Sequence, residues 1–395
     1  MPNTILTVNM ITRKALMILH QKANFIGSID RQYDSSFAKD GAKIGDTLRI
    51  RLPNRYVIRT GVPLSTQDTI ERNVSLAISN RMGVDLNFTS NDLTLSLDDF
   101  SERILDPAMS VLAANLDSVT INAMILSVFN QVNNMGAPMQ FRHVLQGRKI
   151  LGQNLCPPDN RTANLNLQDN VDMVDNLKGL FNDKVNLSKQ YLEGYMGRTA
   201  GFDFLENTLW PMQARGSASA AYTVNAVPAN GATAVVVTGG TGIMNPGDIF
   251  TIANVFSIHP ETRVSTGILQ QFVCTSVVGA PMSTVNFLPQ VTSAATSNQS
   301  VNALPQIGAA IAVAGVASTS YGQSLLYHKS AFTFATADLV MPNGVDFKAR
   351  EVLDGISMRI IRQYDINTDA FPCRLDVQYG SLAQRPQLAV VLANN

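Results

Sequence analysis

Charge is scarce in this chain. Only 15% of its 395 residues are Asp, Glu, Lys or Arg, while 45% are hydrophobic. The usual charged share is near ~25%. This balance argues against disorder. It also leaves few charges to keep a lone monomer soluble, so much of the surface is expected to be covered by partners. Thirty basic residues meet thirty acidic ones, for a net charge of zero. High-affinity nucleic-acid binding needs a basic surplus, and there is none. Cysteine is also sparse: Cys156, Cys274 and Cys373 are odd in number, far apart and form no CxxC pair. Neither a disulfide framework nor a zinc site is suggested, and a reducing compartment fits. The N-terminal MPNTILTVNMITRKALM has no basic stretch followed by an apolar one, so no signal peptide is expected. The longest mostly apolar run, Ile307 to Ala317, is about half of the ~20 residues a membrane helix needs. No membrane partner is expected.

Catalytic patterns are missing as well. His20, His143, His259 and His328 are scattered, with no HExxH and no pair at helical spacing. Gly239-Gly240-Thr241-Gly242 lacks the spacing of a phosphate loop and reads as a turn. No GxSxG elbow occurs. Asp98, Asp99 and Glu102 suit the start of a helix, where the macrodipole favours acid. Cys156 reads as an inert thiol. No catalytic, cofactor-binding or metal-binding residue is assigned, and no cofactor is expected.

What is present is pattern. At roughly 150 residues per domain the length suggests two or three domains. Ile11, Ala15, Leu16, Leu19, Ala23 and Ile26 recur at helical spacing, with Asn9 or Thr7 as a cap. From Gly45 the period becomes two. Leu48, Ile50, Leu52, Tyr56 and Ile58 share one face, and Arg49, Arg51, Arg55 and Arg59 the other. A second arm alternates from Ile70 to Phe88, with Gly83 as a bulge or bend. Unbroken, it would reach roughly 60 Å, too long for a domain of this size to cover, so the hairpin is expected to project and dock elsewhere. A helix of roughly 35 residues is expected from Asp98-Asp99 to about Asn133. Next come a helix near Phe141–Gly152, a strand at Thr162–Leu167 and a helix from Asp169 or Asn170 to about Asp183. Between Gly216 and Ser318 only Asp248, Glu261 and Arg263 are charged. Strand-like pieces at Ala232–Val237, Asp248–Ala253 and Gln271–Val278 mark an inserted all-β domain, a barrel or a sandwich. Alternation at Ile356–Ile360 and Leu375–Tyr379 forms a closing hairpin, and Leu388–Leu392 a last strand.

The arginine ladder is the most informative constellation. Like charges on one strand face repel and need acidic or carbonyl partners. One reading is a solvated face. The other is a basic face docked on a neighbouring subunit, where arginine can hold carboxylates bidentately. The candidate subunit-contact residues are Arg49, Arg51, Arg55, Arg59 and Arg72.

Five stretches, in this order, resemble coat proteins of short-tailed phages that carry an inserted β-barrel: DRQYDSSF with GDTLRIRLPNRY, FTSNDLTLSLDDFSERILDPA, GRTAGFDFLENTLWP, MNPGDIFTIANV, and GISMRIIRQYDINTDAFPCRLDVQYGSLAQRPQLAVVL. The chain is thus similar to tailed-bacteriophage major capsid proteins. The resemblance covers most of residues 30–255 and 320–392, and little is recognised from about Val255 to Ser318. It implies an α+β class with the tailed-phage major capsid fold. Its parts would be an N-terminal arm at 1–42, an extended hairpin loop at 43–91 and a peripheral domain with the spine helix at 92–138. An axial α/β domain would begin at 139–215, the all-β insertion would take 216–318, and closing strands 319–395. It implies a shell of hexamers and pentamers enclosing packaged double-stranded DNA, assembled in the host bacterial cytoplasm with a scaffolding protein and a portal ring. A decoration protein is left open. Some members of the fold cross-link through a lysine on the extended loop. Residues 44–148 here contain no lysine, so a non-covalent shell is expected. The alternatives are an encapsulin-like compartment or another virion protein, and an α/β hydrolase with a β insertion.

Overall fold

The computed structural model describes residues 8–34, 47–59, 61–62, 64, 66–68, 71–89, 106–177, 198–219, 221–294, 298–345, 347–353, 355–366 and 370–394. Two units emerge from it. One takes Met1–Ile50, Asn73–Ile121 and Phe332–Gln384; the other takes Arg51–Arg72, Asn122–Ala331 and Arg385–Asn395.

In the first unit, helix α1 (Val8–Lys22) buries Thr12, Ala15, Leu16 and Leu19 at helical spacing. The pattern does not continue as one helix. Ala23 turns to extended backbone, and a short helix α2 (Asn24–Ser28) begins. Its first N–H groups are satisfied from elsewhere. Phe25 N and Ile26 N donate to the Asp117 carboxylate at 3.0 and 3.1 Å, from helix α3 (Asp106–Ile125). Asp117 is 1% exposed. Burial pushes its carboxyl up to about 6, against the pull of those N–H groups. Helix α3 is shorter than the pattern suggests. It ends at Ile125, and the chain turns into strand β5 (Gln131–Asn133). The expected start at Asp98-Asp99 lies outside the described residues. By length and composition α3 could cross a membrane, yet more than half of that stretch is buried in the protein.

The sheet of this unit has the order β1 (Asp30–Asp34), β17 (Thr333–Ala337), β20 (Ala370–Leu382), β19 (Ile356–Arg362) and β18 (Phe347–Leu353), with β4 (Asn80–Thr89) also on β20. Strands β1 and β17 are parallel; the other pairs are antiparallel. Ile356, Met358 and Ile360 on β19, and Leu375, Val377 and Tyr379 on β20, are buried. This is the alternation read from the sequence.

The long second arm is broken in two. Strand β3 (Arg72–Ala77) pairs with β2 (Thr47–Leu52) in a two-stranded sheet. Strand β4 instead pairs with β20 in unbroken register, from Asn80 opposite Tyr379 to Thr89 opposite Ala370. The chain's own sheet therefore covers half of the arm that was expected to project. Gly83 is neither bulge nor bend: it lies in register opposite Asp376. A Cβ there would meet Leu375 O at 2.3 Å and Asp376 Oδ1 at 2.6 Å. The missing side chain leaves room for Asp376 to take Arg359 Nη2 at 2.6 Å, a pair with side chains only 6% and 11% exposed.

In the second unit, a mixed sheet has the order β5, β21 (Ala389–Asn394), β16 (Ser320–His328), β6 (Arg161–Leu165), β8 (Phe202–Glu206) and β7 (Arg198–Thr199), with β9 (Gln213–Ala214) on β16. Helix α4 (Phe141–Gln153) packs on β21 and β5. Helix α5 (Leu167–Leu177) opens two residues earlier than expected because Asn166 caps it. Asn166 Oδ1 accepts Asp169 N at 2.7 Å. Its expected end near Asp183 lies outside the described residues.

The stretch poor in charge is a closed barrel. Strands β10 (Thr223–Val224), β11 (Ala232–Thr238), β14 (Thr284–Val291), β13 (Ser265–Val278), β12 (Ile249–Ile258) and β15 (Ile311–Val313) are neighbours in that order. Every pair is antiparallel. Ile311 N to Tyr222 O at 2.9 Å, Val224 N to Ala309 O at 3.0 Å and Gly308 N to Val224 O at 2.8 Å close the ring. Phe250, Phe272 and Phe287 fill it, with ring centroids 5.0–5.9 Å apart.

Its base is clamped. Arg215, 6% exposed, holds both the incoming and the outgoing chain. Its Nε donates to Ala314 O at 2.9 Å, Nη1 to Gly216 O at 3.1 Å and Nη2 to Ala218 O at 3.2 Å. Gly216 N donates to Asp248 Oδ2 at 2.9 Å. A Cβ on Gly216 would meet Ile243 O at 2.2 Å, so this approach requires glycine. Gln271 of β13 adds a fork onto β5: its Oε1 accepts Gln131 N at 2.8 Å, and its Nε2 donates to Gln131 O at 2.9 Å.

Candidate subunit-contact site

The five candidate arginines do not form one ladder. Strand β2 keeps the expected alternation, with Arg49 and Arg51 exposed and Leu48 and Ile50 half-buried. Leu48 and Ile50 pack against Leu76, Ile78, Ala335 and Ala337. Arg51 Nη1 reaches Glu71 Oε1 at 3.9 Å, with side chains 81% and 66% exposed. A pair so solvated contributes little. Pro53 then ends the strand, because it has no N–H for a ladder. Beyond it the period of two is lost. Arg59 stays exposed and donates to Gly61 O at 2.5 Å. Arg55 is half-buried, and so is Arg72 at the start of β3. The Arg55 guanidinium is held below its usual range, first by burial and then by the charges of Arg72, Arg263 and Arg385.

Sequence reasoning missed the apolar residues of the same loop. Tyr56 and Ile58 were expected to continue the apolar face of Leu48, Ile50 and Leu52. Instead Tyr56 is 57% exposed, Ile58 85%, Val62 95% and Leu64 86%. The loop is braced: Gln67 Oε1 accepts Val57 N at 2.9 Å, and Gln67 Nε2 donates to Val57 O. This amide fork supplies the two bonds of a strand pair without a strand. The signal was there to read, as VPL follows Gly61 without any partner in the alternation.

The groups considered for chemistry have structural partners. His143 Nδ1 accepts Gln140 N at 3.0 Å and completes the cap of α4. His259 Nδ1 accepts Glu261 N and Thr262 N in a turn. His328 Nδ1 bonds Ser330 Oγ at 2.8 Å. All three cysteines are buried, and burial pushes Cys274 and Cys373 up to about 12. Among the described residues no group of three or more His, Cys, Asp or Glu could hold a metal ion.

A family model described as P22 coat protein, gene protein 5, matches residues 43–392. The chain is a tailed-phage major capsid protein and belongs to the P22 coat protein family, whose copies form the head shell of the virion. The family match favours the head-shell reading over the encapsulin-like and hydrolase alternatives. No curated protein matches. Among solved structures, the chain is similar to one from Mycobacterium phage Che8 at 12% identity, covering 94% of this chain and 90% of that one, with a TM-score of 0.45. It is similar to the capsid of cyanophage P-SCSP1u at 10% identity, covering 94% and 88%, with a TM-score of 0.46. The CUS-3 coat protein I-domain matches 24% of this chain over 96% of its own length, at 27% identity and a TM-score of 0.20. The family match carries the assignment.

Proposed function

We propose that neighbouring copies in the shell are joined through the loop between β2 and β3. Its exposed arginines, Arg49, Arg51 and Arg59, supply a basic rim for carboxylates of the next subunit. Ile58, Val62 and Leu64 supply the apolar core of the contact. Aliphatic side chains this exposed, on a braced loop, mark a surface to be covered. That exposure is the observation that carries the reading. Arg55 and Arg72 are half-buried and are left out of this rim.

The remaining roles are part of the same proposal, and family membership supports them. Copies close into hexamers and pentamers by head-to-tail contacts, and weak contacts repeated many times hold the shell without cross-links. The parts run as the arm at 1–42, the loop at 43–91, the peripheral domain at 92–138, the axial domain from 139, the barrel insertion at 216–318 and the closing strands at 319–395. A scaffolding protein and a portal ring direct assembly in the host bacterial cytoplasm. The shell encloses double-stranded DNA without reading its sequence, which suits a chain of zero net charge, and it has no catalytic role. Co-expression with the adjacent scaffold, followed by negative-stain microscopy, tests the contact. Arg49→Glu with Arg51→Glu, and separately Ile58→Ser with Val62→Ser, should abolish shells while circular dichroism shows a folded chain. Shells at the unaltered yield in both variants refute the contact.

A further inference from the structure

Two Asn-Gly pairs occur in the chain, Asn230-Gly231 and Asn343-Gly344. In such a pair glycine has no side chain to keep its backbone nitrogen away from the asparagine carboxamide, so a succinimide ring can close. The fold treats the two pairs in opposite ways. Asn230-Gly231, just before β11, is tied at both reacting ends. Gly231 N, the nitrogen that would attack, donates to Val291 O at 2.7 Å. Asn230 Oδ1 accepts Ser293 N at 2.9 Å, Ala294 N at 3.2 Å and Ser293 Oγ at 3.3 Å. Asn343-Gly344 lies in the turn between β17 and β18, and both residues are exposed. Gly344 has a φ of 84°, and a Cβ on it would meet nothing within 4 Å. Its N–H makes no hydrogen bond among the described residues. The carboxamide of Asn343 is met by a cation instead. Lys348 Nζ donates to Asn343 Oδ1 at 3.3 Å and is anchored by a second bond to Pro342 O at 3.0 Å.

We propose that Asn343-Gly344 is a site of spontaneous deamidation, promoted by Lys348. Gly344 N gives its proton to hydroxide and bonds to Asn343 Cγ. The electron pair of the carbonyl moves onto Oδ1, and the Lys348 ammonium faces that oxygen as its charge develops. A donor aimed at a developing oxyanion lowers the barrier, because the bond is stronger to the charged oxygen than to the neutral one. The pair then returns to the carbonyl, the Cγ–Nδ2 bond breaks, and Nδ2 leaves as ammonia with a proton from water, which restores the hydroxide. A second water opens the succinimide at either carbonyl and leaves aspartate or isoaspartate at position 343. Nothing is oxidised or reduced, and water is the sole co-reactant. The product sets a carboxylate beside Lys348 where a neutral amide had been. The isoaspartate form also adds a methylene to the backbone of the turn that leads into β18, the strand on which α1 packs. The reaction takes place within one chain and does not depend on the docking contact proposed above.

The test is a time course on the purified full chain at mildly alkaline pH. Peptide mass mapping follows conversion at positions 343 and 230, and isoaspartyl methyltransferase labels the isoaspartate product. Asn343 should convert about tenfold faster than Asn230 or more, because Asn230-Gly231 must first break its hydrogen bonds. In guanidinium chloride the two rates should converge, since both pairs have the same sequence. Lys348→Met should slow conversion of Asn343 by about fivefold, which is about 1 kcal/mol of barrier, and leave Asn230 unchanged. Lys348→Arg keeps a cation at the turn and should fall between the two. Should Lys348→Met fail to fold, the comparison of the two sites in the unaltered chain decides. The proposal is overturned if Asn230 converts as fast as Asn343 in the native chain. It is also overturned if Asn343 stays intact there while converting in denaturant, or if folded Lys348→Met converts at the unaltered rate.

Discussion

Arg215 is the residue on which the barrel's attachment turns, and its replacement gives a measurable answer. In Arg215→Ala three backbone carbonyls lose the guanidinium at once: those of Ala314 and Ala218, and that of Gly216, which keeps Ser318 N at 3.2 Å. Hydrogen bonds from a charged donor contribute about 1.5–3 kcal/mol each. The three share one side chain and the strands relax around it, so the net loss is about 3–5 kcal/mol rather than the full sum. Asp248 also loses a nearby cation that favours its charged form. The assay is built into the sequence. Trp210 is the sole tryptophan, and its Nε1 donates to Asn164 Oδ1 at 2.9 Å. Both residues lie in the second unit, so indole emission during urea unfolding reports on that unit. With a urea slope of about 3 kcal/mol per molar, the midpoint should fall by about 1–2 M. Arg215→Lys offers one compact ammonium in place of a planar fork and should fall between the two. A midpoint within about 0.3 M of the unaltered chain for Arg215→Ala would refute the clamp.

Two further outcomes are expected. The Asp117 carboxyl, raised by burial from 3.8 to about 6, binds its proton more tightly folded than unfolded. Its contribution to stability is therefore fully present below about pH 4 and lost as pH rises through 6, an amplitude of about 3 kcal/mol. Melting curves from pH 4 to 7 should show this slope in the unaltered chain and lack it in Asp117→Asn; parallel curves would rule it out. The buried thiols of Cys156, Cys274 and Cys373 are all raised by burial, so a thiol reagent at pH 8 should find fewer than about one per native chain and all three in denaturant. Rapid native labelling would contradict the burial.

Much of the fold was legible because its signals are local. The alternation at Ile356–Ile360 and Leu375–Tyr379, the helical pattern near Phe141 and the loss of charge after Gly216 each belong to one continuous stretch of chain. The errors came where distant segments decide. Nothing near Ile70–Phe88 tells that β20 pairs with its second half, or that Asp376 requires a glycine at position 83. Nothing around Ala23 tells that a carboxylate from α3 waits to start a second helix. The candidate site divides in the same way. Arg49 and Arg51 obey the strand period, but Pro53 ends it, and the company of Arg55 is drawn from residues some two and three hundred positions away. The resemblance to phage coat proteins supplied the fold class that periodicity alone could not.

The barrel's ring closure has a bearing on life in a crowd. With Asp248 buried, its described exterior shows only Glu261 and Arg263 as charged residues. Open sheets commonly rely on charged side chains to discourage edge-to-edge pairing between molecules. This domain has almost none to spend on that task. Each described strand of the barrel has a neighbour on both sides over at least part of its length, which leaves fewer unpaired donors and acceptors for a second copy to pair with.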